Sequence, residues 1–359
     1  MAAGKEDDGM RKGRILRLID VANAAGVSRS TASNVFNNPA LVRPELRERV
    51  QAAARALGYL GPDPRARLLR AGKVNSIGVI PPAELGVADA LRNPVFAEFL
   101  LGVGEVCDAQ GASLVIIPDG PGHRGTRSAL VDGFIFGRIE HLGMVRPAQL
   151  RRLPFAVVDF DAGPDIGAVK VDSRLGSYEA ARHLTQLGHT RFAIVSFLRS
   201  AGAARVFPPS RHRSPEVAGM FIDQEKLRGY ADALSEAGLD IAEVPIIQAN
   251  PWDASAAALV LDAVPAATAI LSMSVMQALA IIREARKRGT SVPSQLSVVG
   301  YNDIAEAAQG EPALTTVDAR GVDKGRLAAE MVFAGGPPRQ EILVPRLVIR
   351  QSTAPPPRP

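Results

Sequence analysis

With Cys107 as its only cysteine in 359 residues, the chain can form no internal disulfide, and it shows no spacing suited to a structural zinc site. No apolar run reaches the length of a membrane span. The opening stretch, MAAGKEDDGMRKGR, lacks the apolar core of a signal peptide, so the cytoplasm is the expected compartment, with no membrane partner. GxSxG, a Walker A loop, GxGxxG after a strand and HExxH are also missing, which argues against an enzyme and leaves no expected cofactor or metal. The C-terminal end has no heptad pattern, so nothing there supports a coiled-coil tetramer.

What is present is ordinary for a soluble globular chain: 47% hydrophobic and 22% charged residues, at a length that suggests two or three domains. The net charge of +5 is unevenly spread. Residues 1–73 hold 14 Lys and Arg against 7 Asp and Glu, while the remainder holds 28 against 30. A local basic excess is what phosphate binding and counterion release require.

Within that basic fifth, LIDVANAAGVSRSTASNVFN (residues 18–37) has the spacing of two short helices around a tight turn. Leu18, Val21, Ala22 and Ala25 form one apolar face. Gly26 supplies the turn, Val27 plugs the corner, and Ser28 caps a second helix whose Ala32, Val35 and Phe36 face inward. Arg29, Ser30, Ser33, Asn34 and Asn37 are left outward, with no acid among them. Such a face can enter a DNA major groove, where Arg and Asn read base edges and hydroxyls hold phosphates. An ordinary helical hairpin with a solvated face is the alternative. Pro44 opens a third helix with Leu46, Val50, Ala53 and Leu57 as its stripe and Gly58 as its stop. The basic, two-proline stretch at 61–73 reads as a linker with room for a short helix at 64–70.

From Asn75 onward, short Val- and Ile-rich runs alternate with helical segments, the pattern of parallel βαβ units. The two series of such runs, divided near Val171–Asp172, predict two similar α/β lobes. PDGPGHRGTRSALV is too short and Gly-rich for a full helix with its connections. By contrast SAGAARVFPPSRHRSPEVAGMFIDQE is unusually long, and reads either as disorder or as a mobile lid able to contact an acidic ligand. TAPPPRP reads as a disordered tail.

Taken in order, IDVANAAGVSRSTASNVFNNP, VRPELRERVQAAARALGY, PDPRARLLRAG, NPVFAEFLLGV, VVDF, ARHLTQLGHTRFAIV, LRGYADALSEAGL, VPSQLSVVGYND and PALTTV resemble the lactose-repressor (LacI/GalR) family of bacterial transcription regulators. The resemblance covers nearly the whole chain. It implies an all-α helix-turn-helix head, a hinge, and an α/β core of two Rossmann-like lobes shaped like a periplasmic binding protein. The implied boundaries are an arm at 1–16, the head at 17–61, the hinge at 62–73, the core at 74–352 and the tail at 353–359. Within the core, the first lobe takes about 74–171 and 318–338, the second about 172–317 and 339–352.

The resemblance also places residues. Arg29, Ser30 and Asn34 fall at base-reading positions, and Ser28, Thr31, Ser33 and Asn37 where the family touches phosphates. Leu69 matches the hinge leucine wedged into the minor groove, with Ala66 beside it; a buried anchor against the core is the other reading of Leu69. Val95, Phe96, Arg138, Asp159, Lys226, Ser274 and Asn302 would surround an interlobe ligand. Asp159 could instead cap a loop, and Phe96 could be plain core. His183 and His189 read as structural.

Several positions depart from the family. Arg17 stands where a capping Thr is usual, and its loss would cost about 1 kcal/mol unless the helix starts earlier, near Arg14. Gly61 looks like an insertion. Lys226 replaces an arginine and loses its bidentate fork, Val275 replaces an acid, and Asn302 replaces the first acid of a pair, leaving Asp303. These changes make an ordinary sugar less certain than for the family at large. The expected function is therefore a DNA-binding regulator, as a repressor on a near-palindromic double-stranded DNA operator, acting as a homodimer under a small effector, a sugar or related metabolite. A regulator with a non-sensing core and, less favoured, an α/β enzyme are the alternatives.

Overall fold

The computed structural model describes residues 16–61, 73–82, 86–120, 122–137, 139, 141–198, 203–211, 221–250 and 255–358. The hinge positions Ala66 and Leu69, the cleft candidate Arg138 and most of the arm lie outside these residues, as does 212–220 of the long loop. The chain divides into two units, Met1–Val74 and Asn75–Pro359.

The first unit holds α1 (Leu18–Ala24), α2 (Arg29–Asn37) and α3 (Pro44–Leu57). Val21, Ala22, Ala25, Ala32, Val35, Val50 and Ala54 are its buried core, with Leu18, Val27 and Phe36 packed around them. Gly26 takes the left-handed turn between α1 and α2 at φ +60°, a conformation that a side chain would strain. Leu57 corrects the expected stripe: it is exposed, and Ala54 takes the inward place. With 14 residues against 7 and 9 in its partners, α3 runs past the small core in its last turn. The first helix begins at Leu18 rather than near Arg14. Asp20 Oδ2 accepts from the Arg17 amide at 2.8 Å, so the acid one turn in supplies a partner where the usual cap is missing.

In the second unit, the strands and the helices of eight or more residues run as β1 (Ser76–Ile80), α4 (Pro94–Gln110), β2 (Ser113–Ile116), β3 (Gly133–Gly137), β4 (Phe155–Val158), β5 (Ala168–Val171) and α5 (Ser173–Gln186). There follow β6 (Phe192–Phe197), β7 (Arg205–Phe207), α6 (Phe221–Glu236), β8 (Ile246–Ala249), α7 (Ala256–Ala263), β9 (Ala269–Ser272) and α8 (Val275–Lys287). The last are β10 (Ser297–Tyr301), β11 (Thr315–Asp318), α9 (Gly321–Ala334), β12 (Gln340–Leu343) and β13 (Arg346–Val348).

They build two sheets, ordered β12-β5-β4-β3-β1-β2 and β13-β11-β10-β9-β6-β8-β7. All pairs in the first are parallel; in the second only β7 and β13 run antiparallel to their neighbours. Every residue of β1, β3 and β10 is buried, because helices cover both faces of a parallel sheet. Ile77, Val79, Ile135 and Val158 point to one face of the first sheet, and Ile80, Phe134, Phe136 and Val157 to the other.

The lobe boundary near the C-terminus needs correction. Residues 340–343 form β12, paired with β5 in the first sheet, not with the second lobe. As an edge strand with every other residue exposed, QEIL carries too little apolar signal to reveal its sheet. The long loop is likewise not all irregular: Arg205–Phe207 pairs with β8. Among its described residues, the Gly-rich segment before β3 holds the five-residue helix Arg124–Ser128. The expected disordered tail is ordered at its start. Ala354 N donates to Ser297 Oγ at 3.0 Å, its carbonyl lies 2.9 Å from His189 Nε2, and Thr353 Oγ1 lies 2.9 Å from His183 Nε2. The prolines that follow fix φ and so lower the entropy lost on docking.

Candidate functional site

Two sets of residues come together, one in each unit. In the first, α2 is set by Ser28, whose Oγ accepts from the Thr31 amide at 3.1 Å and lies 2.8 Å from both Ser30 Oγ and Thr31 Oγ1. Burial of Ala32 and Val35 turns the opposite face outward. Arg29, Ser30 and Asn37 are exposed there, and Thr31, Ser33 and Asn34 half-buried. Asn37 Nδ2 donates to Ser33 Oγ at 3.1 Å, pre-setting two of the polar groups on that face. The first turn of α2 carries no acid, so its free amides present a positive end.

In the second unit, a cavity of about 210 Å³ opens between the lobes at the C-terminal ends of the strands. Val95, Phe96, Asp159, Lys226, Ser274 and Asn302 all line it. Val95 projects from α4 of the first lobe into the apolar cluster of the second. Phe96 is buried and stacks on Phe99 with ring centres 5.9 Å apart. Ser274 caps α8, its Oγ accepting from the Met276 amide at 3.2 Å. Asn302 follows β10 in the left-handed region, φ +74°, with its amide donating to the Val317 carbonyl at 2.8 Å.

The charged lining is more constrained than the sequence suggested. Lys226 is 3% exposed; its Nζ donates to the Met273 carbonyl at 3.1 Å and sits 3.6 Å from the Tyr301 ring centre, a cation–π contact. Asp159, also at positive φ, holds Lys324 Nζ at 2.6 Å through Oδ2. Its Oδ1 is buried and has no hydrogen-bond partner among the described residues. Burial pushes the Tyr301 phenol up from its ordinary value. Asp303 does not join the cavity lining: it is held by Arg350 at 2.6 and 2.9 Å. Beside the cavity, burial and then the charges of Asp318, Asp303 and Glu306 raise the carboxyl of Glu98.

Lys324, Tyr301, Phe197, Asn93 and Met276 also line the cavity and were not singled out from sequence. Lys324 did leave a signal. It stands in the apolar stripe of α9 with Ala328 and Val332, a place where a lysine needs a partner.

Comparison with known proteins finds matches for both units. Residues 17–61 match the family described as bacterial regulatory proteins, lacI family, and residues 181–353 match the periplasmic binding protein-like domain. An HTH-type transcriptional regulator of Mycolicibacterium smegmatis is 30% identical over 94% of this chain and 96% of its own length. Among solved structures, the lac repressor dimer bound to operator and the anti-inducer ONPF has a TM-score of 0.74 at 23% identity, covering 95% of this chain and 100% of that one. The complex of the transcriptional regulator CelR with cellobiose has a TM-score of 0.64 at 24% identity, covering 94% and 100%. No helix among the described residues is long and apolar enough to cross a membrane.

Proposed function

The chain belongs to the lacI family of bacterial regulatory proteins and is a DNA-binding transcriptional regulator, not an enzyme; from that premise we propose that it is a cytoplasmic repressor that binds a near-palindromic operator as a homodimer. The observation that carries this reading is the acid-free outward face of α2, built on a packed three-helix head. Arg29, Ser30 and Asn34 read base edges in the major groove, while Ser28, Thr31, Ser33 and Asn37 hold phosphates. Ala66 and Leu69 enter the minor groove at the operator's centre, as the family resemblance implies.

A homodimer supplies two such heads on one two-fold axis, the symmetry of a palindromic site. Exposed Leu101 on α4 and Val115 on the edge strand β2 are apolar surface on the first lobe for a second copy to cover. The interlobe cavity takes a small effector, held by Asp159, Lys226, Asn302 and their neighbours, and its occupancy changes operator affinity. That the CelR neighbour holds cellobiose supports a ligand in the cleft. Selection of binding sites from random DNA tests the proposal. It predicts a two-fold-related consensus, and recovery of no consensus would reject it. On the selected site, Leu69→Ala should lower both affinity and DNA bending, and unchanged bending would remove the wedge.

A further inference from the structure

On the first lobe, the five-residue helices Arg124–Ser128 and Arg146–Leu150 pack against each other. Arg151 ties them together. Its guanidinium donates to the Thr126 carbonyl at 2.7 Å and the Ala129 carbonyl at 2.8 Å, and rests 5.4 Å from the Phe134 ring centre. The surface they make is therefore set by the fold before any partner arrives. The strands they cover, β3 and β4, are interior to their sheet and paired on both sides, so this face offers no free strand edge.

Arg127, Arg146 and Arg152 stand exposed on this surface, and none of their guanidinium groups has an ion-pair or hydrogen-bond partner among the described residues. By contrast Arg92 pairs with Asp89, Arg174 with Asp232 and Arg288 with Asp262. Arg152 follows the second helix in the left-handed region, φ +54°, where glycine is the favoured residue. Two leucines share the surface: Leu130 is 71% exposed and Leu150 73%. Asp132 is the one acid among the described residues from Gly122 to Leu153, and it accepts from the Asn75 and Ser76 amides. Since residues 74–359 hold 28 Lys and Arg against 30 Asp and Glu, this cationic surplus is local.

Unpaired arginines beside exposed leucines define their complement: carboxylates to accept from the guanidinium forks, and apolar side chains to cover the leucines. A second copy does not supply it, because a two-fold interface would set these arginines against their own counterparts. A nucleic-acid backbone would pair with the arginines but leave Leu130 and Leu150 in water. A helix brings both halves, with its own backbone bonds satisfied and one face apolar. We propose that this face docks an acidic amphipathic helix of another protein. Its carboxylates lie on Arg127, Arg146 and Arg152, and its apolar side covers Leu130 and Leu150.

The test is fluorescence anisotropy with a labelled Leu/Glu peptide of about 18 residues, its leucines at i, i+3, i+4 and i+7. It is titrated with the full chain saturated by its selected operator, so that the basic head cannot capture the peptide. The Leu/Glu peptide should bind at least about tenfold more tightly than a scrambled peptide of the same composition or a Leu/Lys peptide. Arg127→Glu with Arg146→Glu and Leu150→Ser should weaken it at least about tenfold, with operator affinity and unfolding midpoint unchanged. The milder pair Arg127→Gln with Arg146→Gln should weaken it in the same direction by a smaller factor. No binding of the Leu/Glu peptide, equal binding of the scrambled one, or binding unchanged in both variants overturns the proposal. So does a loss of operator affinity in the variants that grows with the length of flanking DNA, which would assign the arginines to the nucleic-acid backbone. A change of oligomeric state in the variants would assign the face to a second copy and overturn it too.

Discussion

Asp159 and Lys324 show how much a single pair can decide. Removing one partner leaves a charge buried without compensation, so Lys324→Ala should destabilise the core by about 3 kcal/mol in chemical denaturation. Replacing both with apolar or neutral groups should recover most of that loss, because the desolvation cost disappears with the charges. On α2 the same scale separates reading from holding. Asn34→Ala should change the preferred operator, whereas Ser33→Ala should weaken all sequences by a similar factor, measured by fluorescence anisotropy on cognate and scrambled DNA. Equal loss on both DNAs for Asn34→Ala would end its base-reading role. Which residues face outward was legible from sequence where they stand at patterned positions, as in α2. Lys324 was not, since the acid that explains it lies 165 residues away and only the folded sheet brings the two together.

Among elements, α4 and α9 pack with their backbones close together. Gly102 and Gly325 let the two helices touch backbone to backbone: a methyl on either would overlap the Val322 or the Phe99 carbonyl oxygen. Gly102→Ala should therefore cost about 2 kcal/mol or more, despite its higher helix propensity, and should show as a lower unfolding midpoint. The segment after β13 makes a second case. His189 is buried, with Nδ1 2.9 Å from Thr268 Oγ1 and Nε2 donating to the Ala354 carbonyl. Burial lowers the pKa of His189 and of His183 from the ordinary 6.5. The unfolded chain thus takes up protons first, and stability falls as pH drops from 6.5 toward the depressed values. The unfolding midpoint should drop between about pH 7.5 and pH 5.5, and His189→Gln should flatten that drop. A slope unchanged in the variant would count against it. β1, β3, β4, β6, β9 and β10 were readable as Val- and Ile-rich runs because both their faces are covered. β12 and the ordered start of the tail were not, since edge strands and proline-rich straps take their order from partners distant in sequence.

At the scale of the whole molecule, charge and topology divide the work. The basic excess lies entirely in the first 73 residues, so affinity for DNA should fall steeply with salt while ligand binding in the core should not. The core changes lobes three times: between β5 and α5, between β11 and α9, and between β12 and β13. A change in the angle between lobes therefore strains three strands of chain at once, and Val95 reaches from the first lobe into the second lobe's core beside the cavity. The two-lobed plan was visible in the order of the βα units; which lobe the final strands join was not. The central claim is that the cavity and the DNA-reading head are coupled. It is tested most directly by measuring operator affinity with and without a saturating ligand that raises the unfolding midpoint of the full chain. Coupling predicts a change in operator Kd of about fivefold or more, with the same factor appearing in ligand affinity when operator is present. An operator Kd that is identical with the cavity filled and empty would contradict it.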